Sequence, residues 1–251
     1  MKIYEITFSP TGGVRKVADL LAGCFEGEII NIDLTDKRFR PQNEITAEDL
    51  CIAAVPAFGG RVPAIAAQRL KTLRGNGAKA VLAAVYGGRA YEDTLAELED
   101  ILTEAGFDCA AAVGALAEHS VARQFAAGRP DAADEQQLKQ FAALIKAKLP
   151  TARGPVKVPG NRPYKELKAL PFHPQAGSKC VGCGLCANVC PTGAIDPSDP
   201  RRTDIELCAS CLRCVKLCPQ KARAIDPQLL ENLSARLQKL CGERKENELY
   251  L

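Results

Sequence analysis

Short apolar segments alternate with amphipathic segments along the first 150 residues of the chain. Five apolar segments have the length and residue content of strands: Lys2–Phe8, Glu28–Asp33, Leu50–Val55, Lys79–Val85 and Cys109–Leu116. Four segments that follow strands have the pattern of helices: Val14–Cys24, Pro63–Leu73, Tyr91–Ala105 and Asp134–Leu149. Strands separated by helices favour right-handed βαβ units. The pattern therefore predicts an α/β domain over residues 1–150, built on a doubly wound, five-stranded parallel sheet.

A proline-rich segment follows this domain. Six prolines lie within 25 residues: Pro150, Pro155, Pro159, Pro163, Pro171 and Pro174. Proline fixes φ and lacks an N–H donor, so the segment is neither a continuous helix nor a central strand. We expect an extended linker over residues 151–177, a small cysteine-rich domain over residues 178–228, and a C-terminal helix and tail over residues 229–251.

The amino-acid composition indicates the class of protein. Apolar residues make up 47% and charged residues 25% of the chain, values typical of a soluble globular protein. No apolar run approaches the roughly 20 residues of a membrane span, and the first residues resemble a strand and not a signal peptide. We therefore expect a cytoplasmic protein without membrane insertion, in which clustered cysteines bind metal more often than they form disulfides.

Charge is unevenly distributed between the two parts. Residues 1–150 contain 17 Lys and Arg against 20 Asp and Glu, whereas residues 151–251 contain 16 against 10. The basic second part lacks the interleaved aromatic residues or the helix motif of a nucleic-acid-binding protein. We predict no nucleic-acid partner, and interpret the basic residues as a solvated surface that attracts acidic protein partners.

Eight of the twelve cysteines form an internal repeat. Cysteines at positions 180, 183, 186 and 190 recur, offset by 28 residues, at positions 208, 211, 214 and 218, and Pro191 and Pro219 follow the last cysteine of each set. A cubane cluster needs four converging thiolates, and in such spacings the fourth cysteine binds the other cluster. We therefore predict two [4Fe–4S] clusters, one held by Cys180, Cys183, Cys186 and Cys218, and the other by Cys208, Cys211, Cys214 and Cys190. Structural zinc is the alternative, but it favours two separated pairs of ligands.

Residues 178–228 resemble a bacterial two-cluster ferredoxin, which implies a small α+β domain. Basic residues surround the predicted clusters and would raise their reduction potentials: Lys179, Arg213, Lys216, Lys221 and Arg223. The remaining cysteines and the two histidines, His119 and His173, have no partners at ligand spacing, and we interpret them as structural residues.

Three loops of the first domain lie where parallel strands present ligand sites, at the strands' carboxyl ends. The first loop contains Ser9, Pro10, Thr11, Gly12, Gly13 and Val14, before a predicted helix. Hydroxyls, glycines and free amides at a helix N-terminus suit a phosphate group. The loop has neither the lysine of a nucleotide-triphosphate loop nor the glycine spacing of a dinucleotide fingerprint.

The second and third loops pair glycines with aromatic residues. The second contains Pro56, Ala57, Phe58, Gly59, Gly60 and Arg61, and the third contains Tyr86, Gly87, Gly88, Arg89, Ala90 and Tyr91. A flavin ring needs apolar faces for stacking and backbone groups around its polar edge. Phe58, Tyr86 and Tyr91 are the candidate stacking residues; the alternative for Phe58 and Tyr86 is that their rings cap the core.

The first loop resembles the phosphate loop of flavodoxins, Ser/Thr-x-Thr-Gly-x-Thr, which binds FMN. Val14 departs from that motif, because the family usually has threonine there; the change removes a hydroxyl donor worth about 1 kcal/mol. With all three loops, residues 1–150 resemble flavodoxin, and the whole chain resembles the flavodoxin–ferredoxin fusion proteins of anaerobic microbes. The resemblance implies FMN and two [4Fe–4S] clusters as cofactors.

Several functions are compatible with these cofactors. An electron-transfer protein would relay electrons between the clusters and FMN for a partner redox enzyme. An FMN-dependent reductase would act on a quinone or nitro compound, with electrons from a ferredoxin-type donor. A redox sensor whose domains rearrange about the linker is a third interpretation. The sequence leaves the direction of electron flow and the oligomeric state open.

Overall fold

A computed structural model describes residues 1–41 and 44–251. The first part consists of β1 (Lys2–Thr7), α1 (Gly13–Ala22), β2 (Glu28–Asp33), β3 (Leu50–Pro56), α2 (Ala64–Leu70), β4 (Lys79–Tyr86), α3 (Thr94–Glu104), β5 (Asp108–Leu116) and α4 (Ala132–Lys148). Strands β1 to β5 are parallel and lie in the order β2-β1-β3-β4-β5. This is the strand order of flavodoxin-like folds, so the predicted doubly wound α/β class is confirmed.

Among the predicted helix starts, that of α3 differs most from the start in the structure. The pattern predicts a start at Tyr91, whereas the helix begins at Thr94. Tyr91 instead turns inward and packs against Gly114 of β5, where a Cβ would lie 2.7 Å from the tyrosine ring. Glu92, which follows, has φ +43°, and this conformation keeps the residue out of the helix.

Two hydrophobic cores cover the two faces of the sheet. One lies between the sheet and helices α2 and α3 and includes Ile6 and Leu82. The other lies between the sheet and helices α1 and α4 and includes Ile52 and Val113. The central strands are apolar throughout because both of their faces are covered.

The five predicted parallel strands are all present, and the sheet also has a sixth strand that the sequence does not predict. Residues Glu248–Tyr250 form this strand, which is β8 because β6 and β7 lie in the cysteine-rich part described below. It pairs antiparallel with β5 through Val113 and Leu249. A three-residue strand has too short an alternation to be recognised in sequence, and its partner strand is more than 100 residues away. The C-terminal tail therefore belongs to the edge of the first domain's sheet.

The proline-rich segment is bound to the surface of the first domain. A 3₁₀ turn at Leu149–Thr151 is followed by a stretch without helix or strand up to Gln175. The buried carboxylate of Asp93 accepts hydrogen bonds from the backbone N–H of Asn161 (2.8 Å) and Lys165 (2.7 Å). Arg162 adds a bidentate pair with Asp100 on α3. The segment is thus held along α3.

The cysteine-rich part is small and irregular. It contains β6 (Gln175–Ala176), α5 (Leu185–Asn188), α6 (Arg213–Lys216) and β7 (Arg223–Ala224), and is followed by α7 (Pro227–Gln238). Strands β6 and β7 form an antiparallel pair. No helix in the described residues has the length and apolar content needed to cross a membrane.

This part packs against the carboxyl edge of the parallel sheet. Arg213 donates to the carbonyl of Ser9, which follows β1, at 3.5 Å, and its guanidinium lies 3.9 Å from Asp33 at the end of β2. Arg69 of α2 donates to the carbonyl of Pro191 at 2.9 Å. The cysteine-rich part therefore lies beside the loops in which the sequence predicts a ligand.

Candidate functional site

The eight repeated cysteines lie around two cavities. The first cysteine cavity is lined by Cys180, Cys183, Cys186 and Cys218, together with Pro219. The second cysteine cavity is lined by Cys190, Cys208, Cys211 and Cys214, together with Pro191. The structure thus brings together the two sets of four cysteines that the spacing suggests, with Cys190 and Cys218 exchanged between the repeats.

Backbone conformation at two positions shapes these cavities. Helix α5 begins after Gly184 at φ +74°, and α6 begins after Leu212 at φ +60°. In each case the left-handed residue lies between the second and third cysteine of its repeat and reverses the chain around the cavity. Glycine adopts this conformation freely, whereas leucine is strained in it.

Amide groups approach the sulfur atoms. The N–H of Ala222 donates to Cys218 Sγ at 3.3 Å. Burial alone would raise the pKa of Cys218, but N–H groups from Ala222, Gln220 and Arg223 bring that pKa below its ordinary value. In contrast, burial raises the pKa of Cys211 to about 12, so its thiolate form requires a compensating cation such as a metal.

Four cysteines around one cavity match the ligand requirement of a cubane cluster, which takes one thiolate per iron. In the described part of the chain, no group of three or more His, Cys, Asp or Glu side chains is spaced to hold one metal ion.

The loop after β1 forms an open cradle at the start of α1. Gly12 has φ +99°, and no atom lies within 4 Å of the position a Cβ would take. Ser9 Oγ accepts from the N–H of Arg15 at 2.8 Å, which orders the loop. Among the described residues, no acceptor bonds the N–H groups of Gly13 and Val14, and α1 has no side-chain cap. The positive end of the helix is therefore available to an anion.

Val14 lies in the core and not in the cradle. Its side chain is 5% exposed and packs with residues of α1 and the sheet in the second of the two cores. The departure from the flavodoxin motif is thus a packing substitution, and the two free amides remain.

The loop after β3 is a tight turn fixed by a buried ion pair. Phe58 and Arg61 exchange backbone hydrogen bonds across Gly59 (φ +61°) and Gly60 (φ +87°), two angles typical of a type I′ turn. Arg61 makes a bidentate pair with the buried Glu97 at 2.7 and 2.9 Å. Ala57 donates from its backbone to Val85, and Phe58 is half-buried. Of this loop's predicted ligands, Arg61 is already engaged by Glu97, and Phe58 retains an accessible ring.

The loop after β4 places its tyrosines inside the protein. Tyr86 and Tyr91 are each 7% exposed and meet edge to face at 5.2 Å. The Tyr91 hydroxyl bonds to Tyr250 at 2.7 Å and to Glu248 of the tail strand. Both rings contribute to the core and do not offer open faces for stacking. For Tyr86 this agrees with the alternative interpretation of the sequence, and for Tyr91 it differs from the expected stacking role.

The glycines and the arginine of the same loop also have structural neighbours. A Cβ at Gly87 would lie 2.6 Å from His119, and one at Gly88 would lie 3.7 Å from Cys241 Cβ. Arg89 forms an ion pair with Glu92.

A cleft separates the cradle from the cysteine-rich part. It has a volume of about 1060 Å³ including its open mouth, and its lining comes from both parts of the chain: Thr11, Gly13, Glu118, Ser120, Arg123, Leu212, Val215, Lys216, Cys218, Lys221 and Arg223. We call it the interdomain cleft. The loop after β5, with Glu118, Ser120 and Arg123, does not figure in the sequence-based prediction. Its position at the carboxyl end of a strand is the signal that could have identified it.

Comparison with known proteins identifies the second part. The sequence model of the family described as "4Fe-4S dicluster domain" matches residues 179–222. The ferredoxin-like protein in the nif region of Nostoc sp. is 44% identical over 45 residues, which cover 17% of this chain and 39% of that protein. A polysulfide reductase polypeptide of Wolinella succinogenes is 33% identical over 79 residues, 30% of this chain and 37% of the relative. A component of the ion-translocating oxidoreductase complex of Methanosarcina acetivorans is 46% identical over 44 residues, 17% of each protein. The matches span less than two fifths of each relative.

Solved structures resemble the first part. A flavodoxin from Streptococcus pneumoniae aligns with 59% of this chain and 99% of its own, at 17% identity and a TM-score of 0.41. The flavodoxin of Fusobacterium nucleatum bound to flavin mononucleotide aligns with 58% of this chain and 97% of its own, at 12% identity and a TM-score of 0.37. Strand order and the family match together establish the organisation: the chain joins a domain of flavodoxin-like topology to a 4Fe–4S ferredoxin-type domain.

Proposed function

We propose that this protein relays electrons between two [4Fe–4S] clusters and FMN on behalf of a partner redox enzyme. One observation carries the proposal. The interdomain cleft borders Thr11 and Gly13 of the phosphate cradle on one side and Cys218 of the first cysteine cavity on the other. A flavin anchored in the cradle would therefore lie beside a cluster of the same chain.

The cluster assignment follows the two cavities. Cys180, Cys183, Cys186 and Cys218 would hold one cluster, and Cys190, Cys208, Cys211 and Cys214 the other. The N–H of Ala222 donates a hydrogen bond to Cys218 Sγ, and this bond would tune the reduction potential of a cluster held there.

The phosphate of FMN suits the composition of the cleft. The free N–H groups of Gly13 and Val14 and the Thr11 hydroxyl are donors at the positive end of α1. The exposed Lys216 and Lys221 face the same cleft from the ferredoxin-type domain. We infer that both domains bind the phosphate, so flavin binding and domain contact support each other.

The two kinds of cofactor have complementary chemistry. Clusters pass single electrons, and FMN exchanges one or two. The protein's part is to hold both at fixed positions, to shield them, and to present a basic surface around the clusters that attracts an acidic partner. A cytoplasmic setting, in which thiols stay reduced, suits this function.

Anaerobic reconstitution tests the cofactors. We expect close to eight irons and eight sulfides per chain and one tightly bound FMN. A Cys180→Ala, Cys183→Ala variant should retain about four irons and its FMN, because the second cysteine cavity and the cradle are unchanged. Zinc without labile sulfide would refute the clusters, and a protein that does not bind added FMN would refute the flavin.

A kinetic measurement tests the relay. When a ferredoxin-type donor reduces the reconstituted protein, the clusters and the flavin should reach redox equilibrium within the chain at a rate independent of protein concentration. The double cysteine variant should show slower flavin reduction. Steady turnover of a quinone or nitro compound with the donor alone would instead identify the protein as a reductase.

A further inference from the structure

Arg223 occupies a core position of the ferredoxin-type domain. It lies five residues after Cys218, and Ile195 lies five residues after Cys190. Both side chains are buried, with 3% exposure for Arg223 and 2% for Ile195, and each follows a buried alanine. Counted from the fourth cysteine, an arginine therefore occupies the buried position at which the other half of the repeat has an isoleucine, and the matching Ala-Ile-Asp-Pro segment follows two residues later, at Ala224–Pro227.

The guanidinium lies between the two cysteine cavities. Arg223 Nη1 donates to the carbonyl of Pro200 at 2.8 Å and approaches Cys186 Sγ of the first cavity at 3.8 Å. Nη2 donates to the carbonyl of Pro174 at 2.7 Å and to the Thr203 hydroxyl.

The same side chain reaches the second cavity. The two acceptors of Nη2, the carbonyl of Pro174 and the hydroxyl of Thr203, both belong to residues that line the second cysteine cavity. Cys186 of the first cavity and Cys208 and Cys214 of the second pack against one small core, which contains Ile195. Arg223 thus lines the first cavity and contacts two residues that line the second.

The charge of Arg223 lacks an anionic partner in the protein. Within the described residues no carboxylate lies within ion-pair distance of it, and its Nε has no hydrogen-bond acceptor. Burying an unpaired cation is costly, and carbonyl dipoles compensate only in part. A [4Fe–4S] cluster with four thiolate ligands is a net anion, and its reduction adds one more negative charge. Two such clusters would supply the missing counter-charge.

We propose that Arg223 is a shared counter-charge that raises the reduction potentials of both clusters together. The inference rests on the proposed two-cluster function. Because the cation is buried, little solvent screens it, and it stabilises the added electron on either cluster. Exposed basic residues such as Lys179 lie in water and have a weaker effect.

Substitutions of Arg223, followed by measurement of the cluster reduction potentials, test this role. The variants are Arg223→Gln, Arg223→Ile, which copies the other half of the repeat, and Arg223→Lys, which keeps the charge. Lys179→Gln removes an exposed charge beside Cys180 and is the matched control. Each protein is reconstituted, its iron is counted, and both cluster potentials are measured by EPR-monitored redox titration.

We expect both potentials to fall in either neutral variant that retains eight irons, with a much smaller shift in Lys179→Gln. Unchanged potentials in a fully loaded neutral variant, or a fall in only one cluster, would overturn the proposal. If neither neutral variant binds iron but Arg223→Lys does, the charge is required to retain the clusters, which supports the proposal. Loss of iron from all three Arg223 variants would assign Arg223 a packing role and refute the proposal. Failure of the native chain to bind eight irons would count against the proposed function itself.

Discussion

The side-chain amide of Asn247 donates to Asp134 Oδ1 at 3.0 Å and joins the C-terminal tail to the start of α4, 113 residues earlier. Asn247 also accepts from the N–H of Leu116 at 2.9 Å, and Arg129 pairs with the same carboxylate. Asp134 is fully buried. This network lies where β8 joins the sheet. It therefore attaches the C-terminal tail, which follows the ferredoxin-type domain in sequence, to the flavodoxin-like domain.

Asn247→Ala should destabilise the flavodoxin-like domain by about 1 to 3 kcal/mol, because the N–H of Leu116 is left buried without an acceptor. Urea unfolding followed by far-UV circular dichroism measures the change. Asn232→Ala, on the exposed surface of α7, is the matched control and should have little effect. Equal stability of the two variants would show that the tail is not a structural part of the domain.

Substitution of Arg61 distinguishes a structural role of this residue from a role in FMN binding. Removing it leaves Glu97, a buried carboxylate, without its partner, so Arg61→Met should destabilise the protein by about 3 kcal/mol. The FMN dissociation constant of the folded variant should be unchanged. The exposed Arg74→Met serves as control in both urea unfolding and flavin fluorescence titration. Weakened FMN binding at native stability would instead assign Arg61 to the flavin.

Val14→Thr restores the hydroxyl of the flavodoxin motif, yet the structure predicts no gain in FMN affinity. The Val14 side chain lies in the core, so the new hydroxyl would be buried at a cost of about 1 to 3 kcal/mol. Val181→Thr, at a position 68% exposed, should leave stability nearly unchanged. Tighter FMN binding by Val14→Thr would contradict the position we assign to this side chain.

Periodicity explains why the sequence predicts the sheet so well. Strands such as Leu50–Pro56 are apolar throughout, and that pattern depends only on local spacing and on burial of both faces. The cysteine sets are predictable for a similar reason, since three cysteines of each repeat lie within seven residues. The sequence does not predict the inward position of Tyr91 or the strand β8, because their partners, Gly114 and β5, are distant in sequence. The basic character of Arg223 is visible in the sequence, but its burial between two cavities depends on the fold.

Lys216 and Lys221 should contribute to FMN affinity from the second domain. A Lys216→Gln, Lys221→Gln variant should bind FMN about five- to tenfold more weakly, since exposed charges contribute up to about 1 kcal/mol each. The difference should shrink as salt is added. Flavin fluorescence titration measures the affinity, iron content should stay native, and Lys168→Gln, an exposed residue of the linker, is the control. Native affinity in the double variant would indicate that the cradle alone binds the phosphate.

His119 makes stability depend on pH. Burial, aided by the Arg89 charge, lowers the pKa of His119 to about 4. Its Nδ1 accepts from the N–H groups of Val121 (3.2 Å) and Ala122 (3.0 Å), which holds the neutral ring. The unfolded chain, with a histidine pKa of about 6.5, binds the proton first, so stability decreases as the pH falls through this window.

Between pH 7.5 and 5.5 the native protein should lose about 1 kcal/mol more stability than His119→Asn. Asparagine keeps an acceptor for the two N–H groups but does not titrate, so the comparison isolates the histidine from other groups, such as Glu5, that titrate in both proteins. Urea midpoints of the two proteins at the two pH values provide the measurement. Parallel pH profiles would mean that His119 takes up its proton equally in the folded and unfolded chains, and that its ring is not confined to the neutral form beside Gly87.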